Sequence, residues 1–244
     1  MLEAVIFDMD GVIVDSHPAH REAWRTFLRT LGRSVSDAEL DFVLDGRKRG
    51  EILRHFLGEL SEDAVHEYGK SKDEYFRRAS LKVKPVPGVV KFIRTLGNAG
   101  IATAVATSAS ESRTRHTLEH LRLVGKIRVI VTGDDVALGK PDPSIYGLVC
   151  ERLNVNPGHA LAVEDAVSGI QAARGVGLKC IGVASHQSPE RLRAAGAAYV
   201  VQDFLNLSLA QLEHCLLYGT TGSRRTAACT TDPLLSTKPG TCSA

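Results

Sequence analysis

Residues 5–16 read VIFDMDGVIVDS. Ala4 to Phe7 form an apolar run with β-branched Val5 and Ile6, the pattern of a strand buried on both faces. The chain then turns acidic at Asp8 and Asp10, beside Gly11. A core strand that ends in two carboxylates puts charge at the rim of its sheet. In a parallel sheet that rim, beyond the carboxyl ends of the strands, is where ligands bind.

Outward from this stretch the pattern changes twice. Residues 17–82 carry almost no strand signal, and HREAWRTFLRTL, RGEILRHFLGEL and EDAVHEYGKSKDEYFRRASL all space apolar residues by three and four. After VKPVPGVV, whose prolines and glycine punctuate the chain, strands and helices alternate. Strands are expected at 101–107, 128–133, 160–165, 179–184 and 198–201. Helices are expected at about 111–120, 144–153, 166–177 and 189–195. Such alternation implies right-handed crossovers and a parallel sheet covered on both faces. The expected architecture is therefore α/β: a doubly wound parallel-sheet core, residues 1–15 and 84–217, with an α-helical cap inserted at 16–83. Residues 218–244, rich in Thr, Ser, Gly and Pro, read as a flexible tail.

The totals exclude several classes. A chain of 244 residues that is 43% hydrophobic and 24% charged is in the ordinary globular range. Its net charge is +2, and the tail alone supplies it through Arg224, Arg225 and Lys238 against Asp232. No concentrated basic face is left for nucleic acid. The five cysteines contain no CxxC pair, which reads as a reducing compartment. No apolar run reaches the ~18 residues of a membrane span, and no leader pattern opens the chain. A cytoplasmic protein is expected, with no membrane partner, as a monomer or small homo-oligomer.

The residues just past each strand are the candidate functional groups. The first strand leads to Asp8 and Asp10, strand 101–107 to Thr107 and Ser108, and strand 160–165 to Glu164 and Asp165; loop ALGKPDP adds Lys140. Crowded carboxylates repel unless a cation sits among them, and hard oxygen donors suit Mg²⁺. Mg²⁺, a lysine and hydroxyl donors together cradle a phosphoryl group. Asp8 is then the candidate nucleophile and Asp10 the candidate acid/base, while Gly11 lets the backbone turn sharply beside the phosphate.

Four segments, FDMDGVIVDS, ATS, GKPDP and VEDAVSGIQAA, in this order, resemble the haloacid dehalogenase superfamily over residues 4–204, in its branch of sugar-phosphate phosphatases and β-phosphoglucomutases. The resemblance implies catalytic roles for Asp8, Asp10 and Lys140, phosphate binding at Thr107 with Ser108 and Gly11 beside it, and Mg²⁺ held by Asp8, Asp10, Glu164 and Asp165. It implies a small phosphorylated metabolite as substrate. In the cap, HPAH and LDGRKRGEIL resemble the β-phosphoglucomutase branch and point to His20 and Arg49 as substrate contacts. The chain departs from that branch at Ser110, where the mutase has a lysine, and its cap lysine falls on either Lys70 or Lys72.

Plainer readings stand beside these. Aspartates are common in strand-end turns, carboxylates at helix N-termini, and Thr107 or Ser108 could cap the next helix. His20, and Arg49 within RKR, also fit a solvated face. His116 and His120 are four apart without a third ligand, and Trp24 reads as cap core. The leading expectation is a Mg²⁺-dependent phosphatase acting through an aspartyl phosphate. The alternatives are a phosphosugar mutase and, from another class, a catalytically silent scaffold, which intact Asp8, Asp10, Lys140 and Asp165 oppose. A P-loop kinase is excluded, since no GxxxxGK[ST] occurs.

Overall fold

The structure is a computed structural model that describes residues 1–80 and 83–218. β1 (Ala4–Phe7) leads through a turn into β2 (Val14–Asp15), which pairs antiparallel with β3 (Lys84–Pro85). Between β2 and β3 the described residues form four α-helices, α1 (His17–Thr30), α2 (Asp37–Leu40), α3 (Arg49–Leu57) and α4 (Glu62–Ala79), with a 3-10 turn at Asp41–Leu44. The small ribbon thus ties together the two strands of chain that enter and leave the helical insertion. Within it Trp24, Phe27 and Leu28 of α1 pack with Leu53 and Phe56 of α3, and α1 runs along α4. Ser36 and Glu39 close α2 with a reciprocal capping box, and Ser61 caps α4. Trp24 is cap core, as expected, at 1% exposure.

The remainder alternates: α5 (Val89–Asn98), β4 (Ala102–Ala106), α6 (Glu111–His120), β5 (Val129–Val131), α7 (Ser144–Leu153), β6 (Ala160–Glu164), α8 (Val167–Gly175), β7 (Lys179–Val183), α9 (Pro189–Ala195), β8 (Tyr199–Val201) and α10 (Leu209–Tyr218). Six strands form one parallel sheet in the order β5-β4-β1-β6-β7-β8. This is the expected doubly wound core. β1 lies between β4 and β6, so the chain builds the sheet first to one side of β1 and then crosses to the other. That reversal opens a crevice at the carboxyl end of β1.

The four apolar residues of β1 serve two cores, because successive side chains in a strand point to opposite faces. Val5 and Phe7 join Phe92 of α5, Phe204 and Leu212 of α10, while Ala4 and Ile6 join Tyr146 and Val149 of α7, Ile170 of α8 and Leu192 of α9. Phe7 is fully buried and meets Phe92 and Phe204 ring to ring. Truncating it to alanine is expected to cost roughly 3–5 kcal/mol.

Two helices were not expected from the sequence. α5 follows Gly88, which adopts a left-handed φ of 81°, and buries Val89, Phe92, Ile93 and Leu96. α10 buries Leu212, Cys215 and Leu216. α7 begins at Ser144, as expected, and the Asp142 side chain accepts from the Ser144 backbone N–H at 2.9 Å. Cys150, Cys180 and Cys215 are buried free thiols. Among the described residues no helix is long and apolar enough to cross a membrane. Tyr218 closes α10, and the rest of the segment expected as a tail, 219–244 with Cys229 and Cys242, lies outside the described residues.

Candidate active site

The carboxyl ends of β1, β4 and β6 face a cavity of about 610 Å³ whose opposite wall comes from α1, α3 and α4. Asp8 stands one residue beyond β1, and its backbone N–H donates to the Val163 carbonyl at 2.9 Å, so the β1–β6 ladder continues to this carboxylate. Lys140 reaches this point from the loop before α7. Its ammonium donates to Asp8 Oδ1 at 2.6 Å, to Glu164 Oε1 at 2.5 Å and to the Ala106 carbonyl at 3.1 Å, at 1% exposure. Three donors meet three acceptors, so the buried cation is fully satisfied. Burial alone would lower the Lys140 pKa, but the two carboxylates raise it and keep the group charged. Glu164 also accepts from the Tyr146 hydroxyl at 2.7 Å and from the backbone N–H groups of Asp165 and Ala166.

Asp8 is pushed well above the carboxylate range by burial, with Glu164 and Asp165 adding to the effect and Lys140 only partly opposing it. Single carboxylate oxygens of Asp8, Glu164 and Asp165 lie within 4.8 Å of one another. Lys140 pairs with two of these buried carboxylates, Asp8 and Glu164, and three carboxylates against one ammonium leave hard oxygen donors that fit a divalent cation.

Asp10 is held differently. The Arg113 guanidinium from the first turn of α6 grips it with Nη1 to Oδ1 at 2.8 Å and Nη2 to Oδ2 at 2.6 Å, while the Ser16 hydroxyl donates to Oδ1 at 2.5 Å. Burial would raise the Asp10 pKa, but Arg113 and His20 outweigh it and keep the carboxyl well below its usual range. His20 Nε2 lies 3.3 Å from Asp10 Oδ1, and its Nδ1 faces Lys72 Nζ at 3.4 Å. Lysine only donates, so Nδ1 accepts and the proton rests on Nε2, which donates to Asp10. Burial, aided by Lys72, lowers the His20 pKa to about 3 and fixes this neutral form. Burial likewise lowers Lys72 to about 8. Of the two cap lysines, Lys72 is buried beside His20 and Lys70 is exposed.

The second-motif hydroxyls divide their work. Thr107 is buried and accepts from the Ala109 N–H at 3.2 Å, whereas Ser108 donates to the Gly46 carbonyl of the cap at 2.5 Å. Neither caps α6, because Ser110 does. Further bonds lay the same cap loop on the core, from Ser168 to Asp45 and from Lys48 to the Val136 carbonyl at 2.7 Å. Arg49 lines the cavity but is paired with Asp73 at 2.6 Å. Gly11 departs from the expected phosphate contact: its N–H donates to the Val14 carbonyl at 2.7 Å. Its φ is 77°, and a Cβ there would fall 1.9 Å from Asp165 Oδ2 and 2.1 Å from His17 Nε2, so glycine is required by backbone and space alike. His116 and His120 are exposed on α6.

Asp165 Oδ2 accepts from His17 Nε2 at 2.6 Å and from the Ser185 hydroxyl at 3.2 Å, and His186 Nδ1 approaches it to 3.0 Å. Burial would raise Asp165, yet His17 and His186 lower it to about 2. Six of these residues, Ser16, His17, Arg113, Tyr146, Ser185 and His186, carry no role in the sequence reading. Ser185 and His186 follow β7 as Asp8 follows β1, so the rule of inspecting every strand end reaches them. Arg113 sits three residues past the cap of the helix after β4, one helical turn into an element whose start is at the rim.

The family model described as haloacid dehalogenase-like hydrolase matches residues 5–183. A phosphorylated carbohydrates phosphatase of Thermotoga maritima is 35% identical over 212 residues, covering 84% of this chain and 98% of that protein. A β-phosphoglucomutase of Bacillus subtilis is 29% identical over 220 residues, 86% of this chain and 94% of that one. Among solved structures, CbbY of Rhodobacter sphaeroides in complex with phosphate superposes with a TM-score of 0.75 at 30% identity, over 87% of this chain and all of that one.

Proposed function

The chain belongs to the haloacid dehalogenase-like hydrolase family, and we propose that, as a phosphoric monoester hydrolase of that family, it removes phosphate from small phosphorylated sugars through an aspartyl-phosphate intermediate on Asp8. The observation that carries this reading is the buried Asp8–Lys140–Glu164 constellation at the carboxyl end of β1, with Asp10 two residues on. Asp8 attacks phosphorus as its carboxylate; Asp10, which Arg113 holds ionised in this structure, serves after exchanging that grip for a proton, which it gives to the leaving sugar oxygen and recovers from the water that attacks the phosphoaspartate. Atoms and charge balance, since phosphate leaves and both carboxyl groups return to their starting forms. Lys140 orients Asp8 and neutralises it beside the phosphoryl group, and the Thr107 hydroxyl serves that group's oxygens.

Asp8 and Asp165, with the Asp10 backbone carbonyl, would hold Mg²⁺. Glu164 already accepts from Lys140, Tyr146 and two backbone N–H groups, so its part is to anchor Lys140 and back the site through water. Bound there, Mg²⁺ supplies charge for the phosphoryl oxygens. The cap offers His20, Lys72 and Arg49 to the sugar, and domains divided at 16–83 assign selection to the cap and chemistry to the core.

A second reading is a phosphosugar mutase, favoured by His20 and Arg49 in the cavity and by the Bacillus subtilis relative. The two separate in one assay, in which phosphorylated sugars are incubated with Mg²⁺, with and without a trace of glucose 1,6-bisphosphate. Free phosphate without primer is the expected result. Primer-dependent glucose 6-phosphate from β-glucose 1-phosphate, with little free phosphate, would establish the mutase instead. No turnover of any phosphomonoester would remove both.

A further inference from the structure

Asp165 belongs to a second group of ligating atoms besides the acidic one. One ligating atom each of Asp165, His17 and His186 lies within 4.8 Å of the other two. His17 Nε2 and His186 Nδ1 stand 2.6 Å and 3.0 Å from Asp165 Oδ2. His17 opens α1, directly after β2, and His186 follows β7, so two distant segments bring imidazoles to one carboxylate. Their rings are 3.8 Å apart. His17 is 6% exposed and its Nδ1 has no partner; neither ring nitrogen of His186 has a hydrogen-bond partner.

The plain account of such residues is that they orient a metal-binding carboxylate by hydrogen bonds. It covers His17 and Ser185, which already give Oδ2 two donors. It does not cover His186, whose Nδ1 reaches 3.0 Å from the same oxygen without making a hydrogen bond. Two imidazole nitrogens from distant segments converge on one carboxylate oxygen, and they become a ligand set when His17 Nε2 gives up its proton and the neutral ring keeps its remaining proton on Nδ1, which has no partner. Two imidazoles and one carboxylate select borderline ions of the Zn²⁺ type, whereas oxygen-only sets select Mg²⁺.

We propose that His17, His186 and Asp165 form a second cation site, for a divalent ion of the Zn²⁺ class, adjoining the acidic site and sharing Asp165 with it. Three protein ligands leave a further position open for water. Because Asp165 is common to both sites, filling the imidazole site weakens binding at the acidic one. The site itself stands on these three residues and does not depend on the hydrolase reading.

Co²⁺ is the probe, because four-coordinate Co²⁺ absorbs in the visible and reports its ligands without any turnover. Metal-free protein is titrated with Co²⁺ and then with Zn²⁺, in the wild type, His17→Ala, His186→Asn and Asp8→Asn. The expected result is a visible band that Zn²⁺ displaces. Affinity should fall at least tenfold in each histidine variant and hold in Asp8→Asn, which alters only the acidic set. An unchanged band in both histidine variants overturns the proposal, as does a larger loss in Asp8→Asn, which would place the ion among the carboxylates. Absence of any band in the wild type overturns it too. Should His17→Ala fail to fold, His186→Asn alone decides, since that ring is already 13% exposed.

Discussion

The two walls of the cavity hold their charges in opposite ways. On the core side Lys140, Asp8 and Glu164 are locked at 2.5 and 2.6 Å with side chains 1 to 10% exposed. On the cap side Arg49 pairs with Asp73, and Arg54 with Glu62, by side chains a third or more exposed. Ion pairs in water are worth about 0–1 kcal/mol and exchange partners cheaply, while a buried pair that loses one member leaves an uncompensated charge. The core wall is thus built to keep one arrangement and the cap wall to yield its exposed arginines to a ligand, with buried Lys72 the exception. The proposed function puts chemistry on the first and selection on the second.

The sharpest test of the rigid wall is Asp8→Asn, which keeps the shape and removes the nucleophile. Turnover should fall on the order of 10⁴-fold or more, with the melting temperature close to that of the wild type. Substantial residual turnover in a single-turnover assay would disprove the covalent route. Asp10→Asn should cost less, roughly 10²- to 10⁴-fold, the usual worth of general acid–base catalysis. Lys140→Met reads the same wall through stability. It strands Asp8 and Glu164 in the interior, and urea denaturation should show a loss of about 3–5 kcal/mol. A loss below about 1 kcal/mol would mean that the core pairs are as replaceable as those of the cap.

The same contrast explains what the sequence discloses. β1 and the strand-end residues Asp8, Asp10, Thr107, Glu164 and Asp165 are legible because backbone geometry alone carries a residue after a parallel strand to the rim. Lys140 is legible through its motif. The partners Arg113 and Tyr146 are not, for they arrive by helix packing, and which face of a helix meets the site depends on its crossing angle and not on its own period. Lys72 shows this well. Lys70 and Lys72 are two residues apart on α4 and so lie on nearly opposite sides, and only the packing of α4 along α1 decides that Lys72 turns inward. The helical period of α5 is present in VVKFIRTLGN, yet the Pro-Gly punctuation before it hides its start.

Acid titration probes the core wall more gently. Asp165 is lowered from 3.8 to about 2 despite burial, chiefly by His17. A depressed folded value adds stability that is complete above the unfolded value and disappears as pH falls through the folded one. In chelator-treated protein, stability should therefore drop between about pH 4 and pH 2, by on the order of 2 kcal/mol from this group. His17→Ala should flatten that part of the curve. A profile identical to that of the wild type would show that the imidazole does not hold the carboxylate.

The smallest effect is expected on the yielding wall. Arg49→Ala breaks a pair a third exposed on both sides, so stability should change by less than about 1 kcal/mol. Its consequence should appear in substrate binding: KM for a sugar phosphate should rise roughly tenfold while kcat stays within about twofold, the signature of an interaction equal in ground and transition states. Arg49→Lys should recover only part of this, because an ammonium cannot reproduce a planar guanidinium's paired contacts. If kcat falls as steeply as in Asp10→Asn, the cap arginine acts on the reacting group itself, and the division of the cavity into a chemical wall and a selecting wall fails at that residue.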